Sequence, residues 1–401
     1  MQAIQTVETV TTLSALLPRA EFRSALAIVS KVADKRPRIP ILSHVSLRWD
    51  DAGMSASTTD LDLYVTARIP GAASDRAFNA VLPAHALKDM ETRAPATDHV
   101  SMDIRGHDAP AILDFEGLRA SMPGLDPSDL PSYEFGKAGA RVEISAADLR
   151  DALQRVMFAV SKEEVRYYLN GVYMQPARRE RGAGGPVGLR FTATDGHRLS
   201  NMFVGCDPGA VRWNLRRQGG AVAQGVIIPL KAAAFALSLL KAKTAPETVS
   251  MRLNARFIEI KIGLVDIVSK TIDGTFPDYA RVVPVSNPHR MVIGTEPLAR
   301  AIEAVSCISS ERGRAVKMSL SRDSLRLTVN NPEMGATEMD VACAYDGPPM
   351  SIGFNAKYVL DILGSLASET VAIDLADHMS PALITDPATP GAKCVLMPLR
   401  I

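Results

Sequence analysis

Asp195 and His197 place a carboxylate and an imidazole two positions apart in the run Thr194-Asp195-Gly196-His197-Arg198-Leu199. Groups of that kind carry general acid–base catalysis when they converge on one proton. Here the spacing works against convergence. Successive strand residues point to opposite faces, and a turn glycine separates the two side chains. The residues on their own read as a structural turn. The Gly-rich run from Arg181 to Gly188 raises a second possibility, a phosphate-cradling loop. It lacks the GK[ST] ending and does not sit between a buried strand and a helix start, so that chemistry is rejected. The four cysteines, Cys206, Cys307, Cys343 and Cys394, lie far apart and form no CxxC pair. Neither a zinc site nor a disulfide framework is expected, and no cofactor. Free thiols suit a cytoplasmic protein.

The elements that would position such residues follow from bulk properties and periodicity. A chain of 401 residues exceeds one ordinary core and suits two or three domains. Its 47% hydrophobic and 22% charged residues are ordinary for a globular protein. No apolar run reaches the roughly 20 residues of a membrane span. The stretch Met1 to Leu17 lacks a basic leader followed by an apolar segment, so no secretory signal is expected. The 45 basic and 44 acidic residues leave a net charge of +1. A protein gripping DNA through many phosphates is usually more basic. One that holds DNA loosely and slides needs only a local positive surface.

The chain repeats itself three times. Phe22, Ala25, Leu26, Val29 and Val32 share one template with Leu149, Ala152, Leu153, Val156 and Ala159, and with Leu298, Ala301, Ile302, Val305 and Ile308. The offsets 0, 3, 4, 7 and 10 lie along one stripe of an α-helix. After each helix come alternating runs, from Val45 to Ile69, Val172 to Val204 and Val316 to Cys343. Each holds a late polar turn, at Thr59-Asp60, Thr194-Asp195-Gly196 and Asn330-Asn331-Pro332. Second helices are predicted to begin near Pro83-Ala84, Pro229-Leu230 and Asn355-Ala356, followed by closing strands over Val100 to Met122, Thr248 to Ile272 and Val371 to Leu399. Each repeat is therefore α+β, two helices with a larger share of strand. Pro-rich exits from Pro123 to Pro131 and from Phe276 to Pro284 place boundaries near residues 137 and 287. The domains are thus 1–137, 138–287 and 288–401. Arg178 to Pro186 and Arg212 to Gly225 read as solvated loop insertions. A quasi-symmetric arc of three modules with unpaired ends closes most simply on a second copy, head to tail. That would make a ring of six domains and twelve helices.

The motifs now become recognisable. VRYYLNG (165–171), ATDGHRL (193–199), IDGTFPDYARVVP (272–284), GFNAKYVLD (353–361) and the ending VLMPLRI (395–401) occur in order, with Pro40-Ile41-Leu42 after Arg36-Pro37. Together they resemble the bacterial DNA polymerase III beta subunit family across nearly the whole chain. The resemblance implies a ring-shaped homodimer around double-stranded DNA, a processivity factor without catalytic chemistry. It implies loading by an ATP-driven clamp loader. It also implies that polymerase subunits, the loader and repair proteins dock by short linear peptides in a groove between the second and third domains, with no membrane involved.

By the same resemblance, Thr194, Gly196, His197, Arg198 and Leu199 form one groove wall, the glycine permitting close approach of a ligand backbone. Leu169 supplies an apolar floor. Pro277, Arg281 and Val282 match the FPDYxRV stretch, Asn355 and Tyr358 the GFNxxYVLD stretch, and Val395, Met397, Pro398, Leu399 and Arg400 the tail. Met379 and Pro381 border the pocket. Such a groove is chemically sensible, since apolar and thioether side chains adapt to several peptides while a few polar groups orient them. The alternative is that these apolar residues are ordinary core. Gly313, in SSERGR (309–314), departs from the bulky apolar residue some family members carry there.

For DNA, Arg166 beside Tyr167 and Tyr168 can meet phosphate and stack on an exposed base, unless both tyrosines belong to the fold. Arg36 sits where the family places a DNA-contacting arginine. Lys231 opens a second helix, and Lys241 and Lys243 close it. Arg23, Arg150, Arg155 and Arg300 lie off the apolar stripes and read as solvated faces, diluted by Asp148, Asp151 and Glu303. Two rival readings remain. A divergent extra clamp copy with altered partner choice would fail to replace a resident clamp in a replication assay. A nucleotide-processing enzyme would show turnover that His197→Ala abolishes.

Overall fold

The computed structural model describes residues 13–104, 109–178, 187–216, 222–309 and 315–400. Gly313, all of the Arg178 to Pro186 insertion but Arg178 itself, residues 217–221 of the Arg212 to Gly225 insertion and residues 1–12 lie outside them. By compactness the chain divides into one unit of Met1–Ala138 with Val249–Lys270 and another of Gly139–Thr248 with Thr271–Ile401.

The first unit holds helices α1 (Arg19–Val29) and α2 (Ala84–Arg93). One of its sheets runs Ala73–Ser74, Leu13–Pro18, His99–Ile104, Ala111–Asp114, Arg119–Met122. The other runs from Phe78–Pro83 through His44–Asp50 and Gly53–Thr59 to Leu63–Arg68, which pairs onward with Val265–Lys270 and then Phe257–Ile262. The second unit holds α3 (Ala146–Val156), α4 (Leu230–Leu240), α5 (Thr295–Val305) and α6 (Ala356–Leu363). Its largest sheet has eight strands, in the order Val226–Pro229, Gly171–Arg178, Val187–Thr194, Arg198–Gly205, Ala392–Leu396, Ala382–Thr385, Thr370–Leu375, His289–Gly294. A separate sheet of four runs Gly335–Ala342, Ser324–Asn331, Ala315–Ser321, Met350–Asn355.

The repeated template produces this architecture because it makes the same three helices bury the same stripe. Phe22, Ala25, Leu26 and Val29 in α1, Leu149, Ala152, Leu153 and Val156 in α3, and Leu298, Ala301, Ile302 and Val305 in α5 are all buried. Burying a Leu, Val or Phe side chain contributes about 1.5–3 kcal/mol. The fifth template position falls beyond each helix; Ala159 and Ile308 sit in following 3-10 turns. The second helices start at Ala84, Leu230 and Ala356, as the sequence indicates. Pro83 and Pro229 precede the first two, and the Asn355 side chain caps the third by accepting from the Tyr358 amide at 3.3 Å.

Two of the three predicted polar turns also repeat in detail. The Asp60 carboxylate accepts from the amides of Asp62 and Leu63, and the Asp195 carboxylate from those of His197 and Arg198. The hydroxyls of Thr59 and Thr194 accept from the amides of Leu61 and Gly196. Leu61 and Gly196 both take left-handed φ, 80° and 89°. At Gly196 a Cβ would also lie 2.6 Å from Nη1 of Arg166, so that side chain would have to shift to admit one.

The Arg212 to Gly225 stretch is more anchored than a solvated loop. Val211–Trp213 is a strand paired with Ala140–Val142, the Trp213 indole donates to the Ala223 carbonyl at 2.9 Å, and Leu215 and Ala223 are buried. Trp213 and Leu215 supply apolar surface that a solvated insertion lacks. No described helix is long and apolar enough to cross a membrane.

The stripe generates a contrast within one helix. Ile302→Ala in α5 is expected to lower unfolding stability by about 3 kcal/mol. Arg300→Ala, whose side chain is exposed and paired with Glu296, should stay within about 0.5 kcal/mol. Urea denaturation of the two variants checks the difference.

Candidate functional site

The strand Arg198–Gly205 pairs antiparallel with Ala392–Leu396, with Arg198 opposite Leu396 and Met202 opposite Ala392. That register brings the Thr194 to Arg198 turn beside the C-terminal tail. The amide of Met397 donates to the His197 carbonyl at 2.9 Å, and that of Leu399 to the Gly353 carbonyl at 2.7 Å. The tail therefore bridges the turn and the strand that leads into α6.

Arg198 is the node of this region. It is only 8% exposed. Its Nε donates to Asp195 at 3.1 Å, Nη1 to Asp361 at 2.7 Å and Nη2 to the Phe158 carbonyl at 2.7 Å. The guanidinium carbon lies 4.3 Å from the Tyr358 ring centroid and 5.2 Å from that of Phe158. A buried guanidinium is tolerated only when its charge and donors are met in this way. Arg198 thus ties α6 to the 3-10 turn that follows α3 and leaves its neighbours to present the surface. The exposed imidazole of His197 stacks on Tyr358, centroids 6.2 Å apart and planes 26° apart. Met397 is exposed, while Pro398 and Leu399 are partly so.

A second cluster lies on the linker after the second repeat. Phe276 stacks on Tyr173 at 4.7 Å, nearly parallel, with Leu169 and Ile227 in the same buried group. The Gln175 amide donates to the Tyr279 hydroxyl at 2.7 Å. These contacts hold the linker to the sheet and leave Pro277, Arg281 and Val282 exposed on it. Arg281 pairs with Asp278 at 2.8 Å. Met379 is exposed on a turn whose amides are held by Asp377, and Pro381 is reached through the Asn287 side chain, which donates to its carbonyl at 3.0 Å.

Of the residues singled out from sequence, Leu169, Thr194, Arg198, Leu199 and Val395 are buried supports. Gly196, His197, Pro277, Arg281, Val282, Met379, Met397 and Arg400 are exposed, and Asn355, Tyr358, Pro381, Pro398 and Leu399 are intermediate. Asp195 and His197 do not converge as an acid–base pair. The carboxylate is spent on the turn's own amides and on Arg198, and the ring lies against Tyr358.

The DNA candidates divide. Arg36 and Lys231 are exposed. Tyr167 is exposed, but Tyr168 packs against the Leu169 group and against Gly274. Arg166 is held bidentately by Glu163, at 2.9 and 2.7 Å, and hydrogen bonding from Arg166 in turn lowers the Glu163 carboxyl below its ordinary value. Arg155 corrects the solvated-face reading. Its side chain is 11% exposed and donates to Asp386 at 3.0 Å, Thr389 at 2.8 Å and the Ser365 carbonyl at 3.1 Å. Arg23 stays on an exposed face, as expected, and pairs from there with the buried Glu91. Asp361 closes the GFNAKYVLD motif, but its pairing with Arg198, like those of Phe158 with Arg198 and Asp386 with Arg155, was not legible in spacing, because the partners are 163, 40 and 231 residues apart.

Three comparisons with known proteins bear on this site. The chain matches the models of the DNA polymerase III beta subunit N-terminal, central and C-terminal domains, over residues 14–134, 143–278 and 280–400. It is 35% identical over 391 residues to the beta sliding clamp of Caulobacter vibrioides, covering 96% of this chain and 99% of that one. The crystal structure of a sliding clamp from Bartonella birtlesii bound to griselimycin superposes with a TM-score of 0.87 at 33% identity, over 98% of this chain and 100% of that one. A sliding clamp from Pseudomonas aeruginosa, also bound to griselimycin, gives 0.87 at 27% identity over 98% and 100%.

The site's carboxylates predict a pH dependence. Burial pushes Asp361 up, but hydrogen bonds from Arg198 and Lys357 outweigh it and hold the group below its ordinary 3.8. Asp386 is likewise lowered, its burial outweighed by bonds from Ser368, the Ala367 amide and Arg155. The unfolded chain therefore binds these protons first. The stabilisation is complete above 3.8 and is lost as pH falls through the lowered values. Urea midpoints measured between about pH 2.5 and 5 should rise with pH. Asp361→Asn should flatten that slope and cost about 2 kcal/mol at neutral pH, because it leaves Arg198 short of a partner.

Proposed function

The chain belongs to the DNA polymerase III beta subunit family, and from that premise we propose that it is a sliding clamp, a non-catalytic ring that encircles duplex DNA and tethers polymerases to it. The observation that carries the ring is the use of sheet edges. Within the first unit, Leu63–Arg68 pairs with Val265–Lys270, and within the second unit Arg198–Gly205 pairs with Ala392–Leu396. In both seams the same elements meet. The third strand after a repeat's first helix joins the last strand of the following repeat. The third repeat's counterpart of the former is Gly335–Ala342, and the first repeat's counterpart of the latter is Arg119–Met122. Both stand at the end of their sheets. A second copy placed head to tail pairs each leftover edge with its complement, by the rule the chain already follows twice. Exposed Met334 and Met339 beside that edge suit burial there. The domains would be 1–137, 138–287 and 288–401, and the protein cytoplasmic.

Enclosure explains the modest charge. A ring stays on DNA by topology, so contact with phosphate is best kept weak. Arg36, Lys231 and Tyr167 are the proposed DNA contacts, with Arg166 available only when it leaves Glu163 and Tyr168 mainly structural. The peptide groove is proposed along His197, Tyr358 and Met397, with Gly196, Asn355, Pro398, Leu399 and Arg400 flanking. Pro277, Arg281 and Val282 on the linker, with Met379 and Pro381, extend it, over the buried supports Leu169, Thr194, Arg198, Leu199 and Val395. Relatives of this chain accept griselimycin, and adaptable thioethers suit a surface that must take several polymerase, loader and repair peptides. The gain for a polymerase is effective concentration near its template, without new chemistry.

Two measurements test the reading. The protein should sediment as a dimer at micromolar concentration, and Gly335→Pro or an inserted charge at Met339 should yield monomers; a monomeric unaltered protein would argue against closure. Once placed on a nicked circular plasmid by a clamp loader, it should stay bound through a wash at high salt and leave when the plasmid is cut. Equal retention on linear and circular DNA would mean adhesion rather than enclosure.

A further inference from the structure

Arg155 lies on α3 at the sixth position after Leu149 in the repeated template. The same position is Ile28 in α1 and Ala304 in α5, neither of which has a side-chain donor. Only the second repeat therefore carries an arginine there, and the structure gives it a specific target. Its two terminal nitrogens reach Asp386, Thr389 and the Ser365 carbonyl, all on the third repeat. Asp386 is 2% exposed and also accepts from the Ser368 hydroxyl and from the amides of Ala367 and Ala388. The anchor is thus a buried carboxylate held from several sides, not a surface counter-ion.

The position of the anchor along α6 gives it a consequence. Arg198 binds Asp361 within α6, and Arg155 binds the Ser365 carbonyl one residue after the helix's Gly364 cap. The two attachments sit four residues apart, about 6 Å along a helix axis. α6 is packed into the core through Val359, Ile362 and Leu363, and the two arginines add polar attachments within it and at its C-terminal end, where apolar packing alone sets direction less narrowly than a guanidinium fork. A cation at the C-terminal end of a helix also meets the negative end of its dipole. α6 carries Tyr358, the ring on which His197 stacks. Arg155 is connected to the turn side as well, since its carbonyl accepts from the Ser200 hydroxyl at 2.6 Å on the strand that follows the turn.

We propose that Arg155 is a positioning residue for peptide binding: by bolting α3 to the end of α6 it fixes the distance and angle between the two groove walls, one carrying His197 and the other Tyr358. This rests on the groove reading above. Arg155 touches no bound peptide itself. It lowers the cost of binding by holding the walls in the orientation that the peptide requires.

The test uses the full-length protein and labelled griselimycin as probe, with affinity read by anisotropy and groove-wall opening by amide hydrogen exchange at the Arg198–Gly205 strand. Arg155→Met should weaken griselimycin roughly tenfold, through faster dissociation, with the dimer intact. Arg155→Lys, which keeps the charge but not the fork, should recover part of the loss. The discriminating variant is Ser200→Cys in the Arg155→Met background, read against Ser200→Cys alone because that change also removes the hydroxyl bond to the Arg155 carbonyl. Ser200 stands directly opposite Cys394, with its oxygen 3.5 Å from the Cys394 sulfur, so oxidation can close a disulfide across the seam. The locked form should regain affinity and lose it again on reduction. Affinity unchanged by Arg155→Met despite faster exchange, or a loss that the disulfide fails to restore, overturns the positioning role. Failure of the unaltered protein to bind griselimycin overturns the groove reading and this inference with it.

Discussion

An unpaired strand edge is costly to leave exposed and dangerous to leave sticky, and the organisation of this protein follows from how that constraint is met. Each repeat builds a sheet whose outer strand ends in open amides and carbonyls. The chain satisfies them with the next repeat's closing strand, as Arg198–Gly205 does with Ala392–Leu396. Backbone pairing has no sequence requirement beyond register. The register at this seam therefore decides which side chains become neighbours, and it sets the His197 turn beside the tail from Met397 onward.

Side chains then make the seam specific. Two arginines, Arg198 and Arg155, give up solvent to cross it: Arg155 meets Asp386 and the Ser365 carbonyl on the far side, while Arg198 meets Asp361 there and the Phe158 carbonyl of its own repeat. Buried ion pairs are poor sources of net stability, since desolvation offsets most of the attraction. Their value lies in direction. A guanidinium fork accepts only a narrow set of orientations, so the walls of the site are held at one angle. The surface above those forks is soft, with exposed methionines and a histidine ring on a tyrosine. A rigid support beneath an adaptable surface suits a protein with several partners and no reaction of its own.

Much of this was legible from residue spacing. The stripe shared by Phe22, Leu149 and Leu298 announced three equivalent helices, because burial in an α-helix leaves a period that survives in any copy. Pro83, Pro229 and Asn355 marked the second helices, and the Thr-Asp turns were visible because their side chains bond to amides only two or three residues away. Every one of these features is local. Tyr168 and Arg155 were harder, since an aromatic or a cation off the apolar stripe looks the same whether it meets water or a distant repeat. Arg212 to Gly225 misled for a related reason. Its glycines spoke for a loop, while Trp213 is anchored both by strand pairing with the distant Ala140 and by the Ala223 carbonyl brought back to it within the stretch.

By itself the amino-acid order determined the class of fold, the threefold repeat and the family motifs, since all three are written in spacing along the chain. Which arginine pairs with which aspartate, which candidate residues support the surface rather than form it, and which edges remain open were decided only by tertiary structure. Those outcomes depend on register between strands nearly 200 residues apart, and the interactions that choose a register act through space.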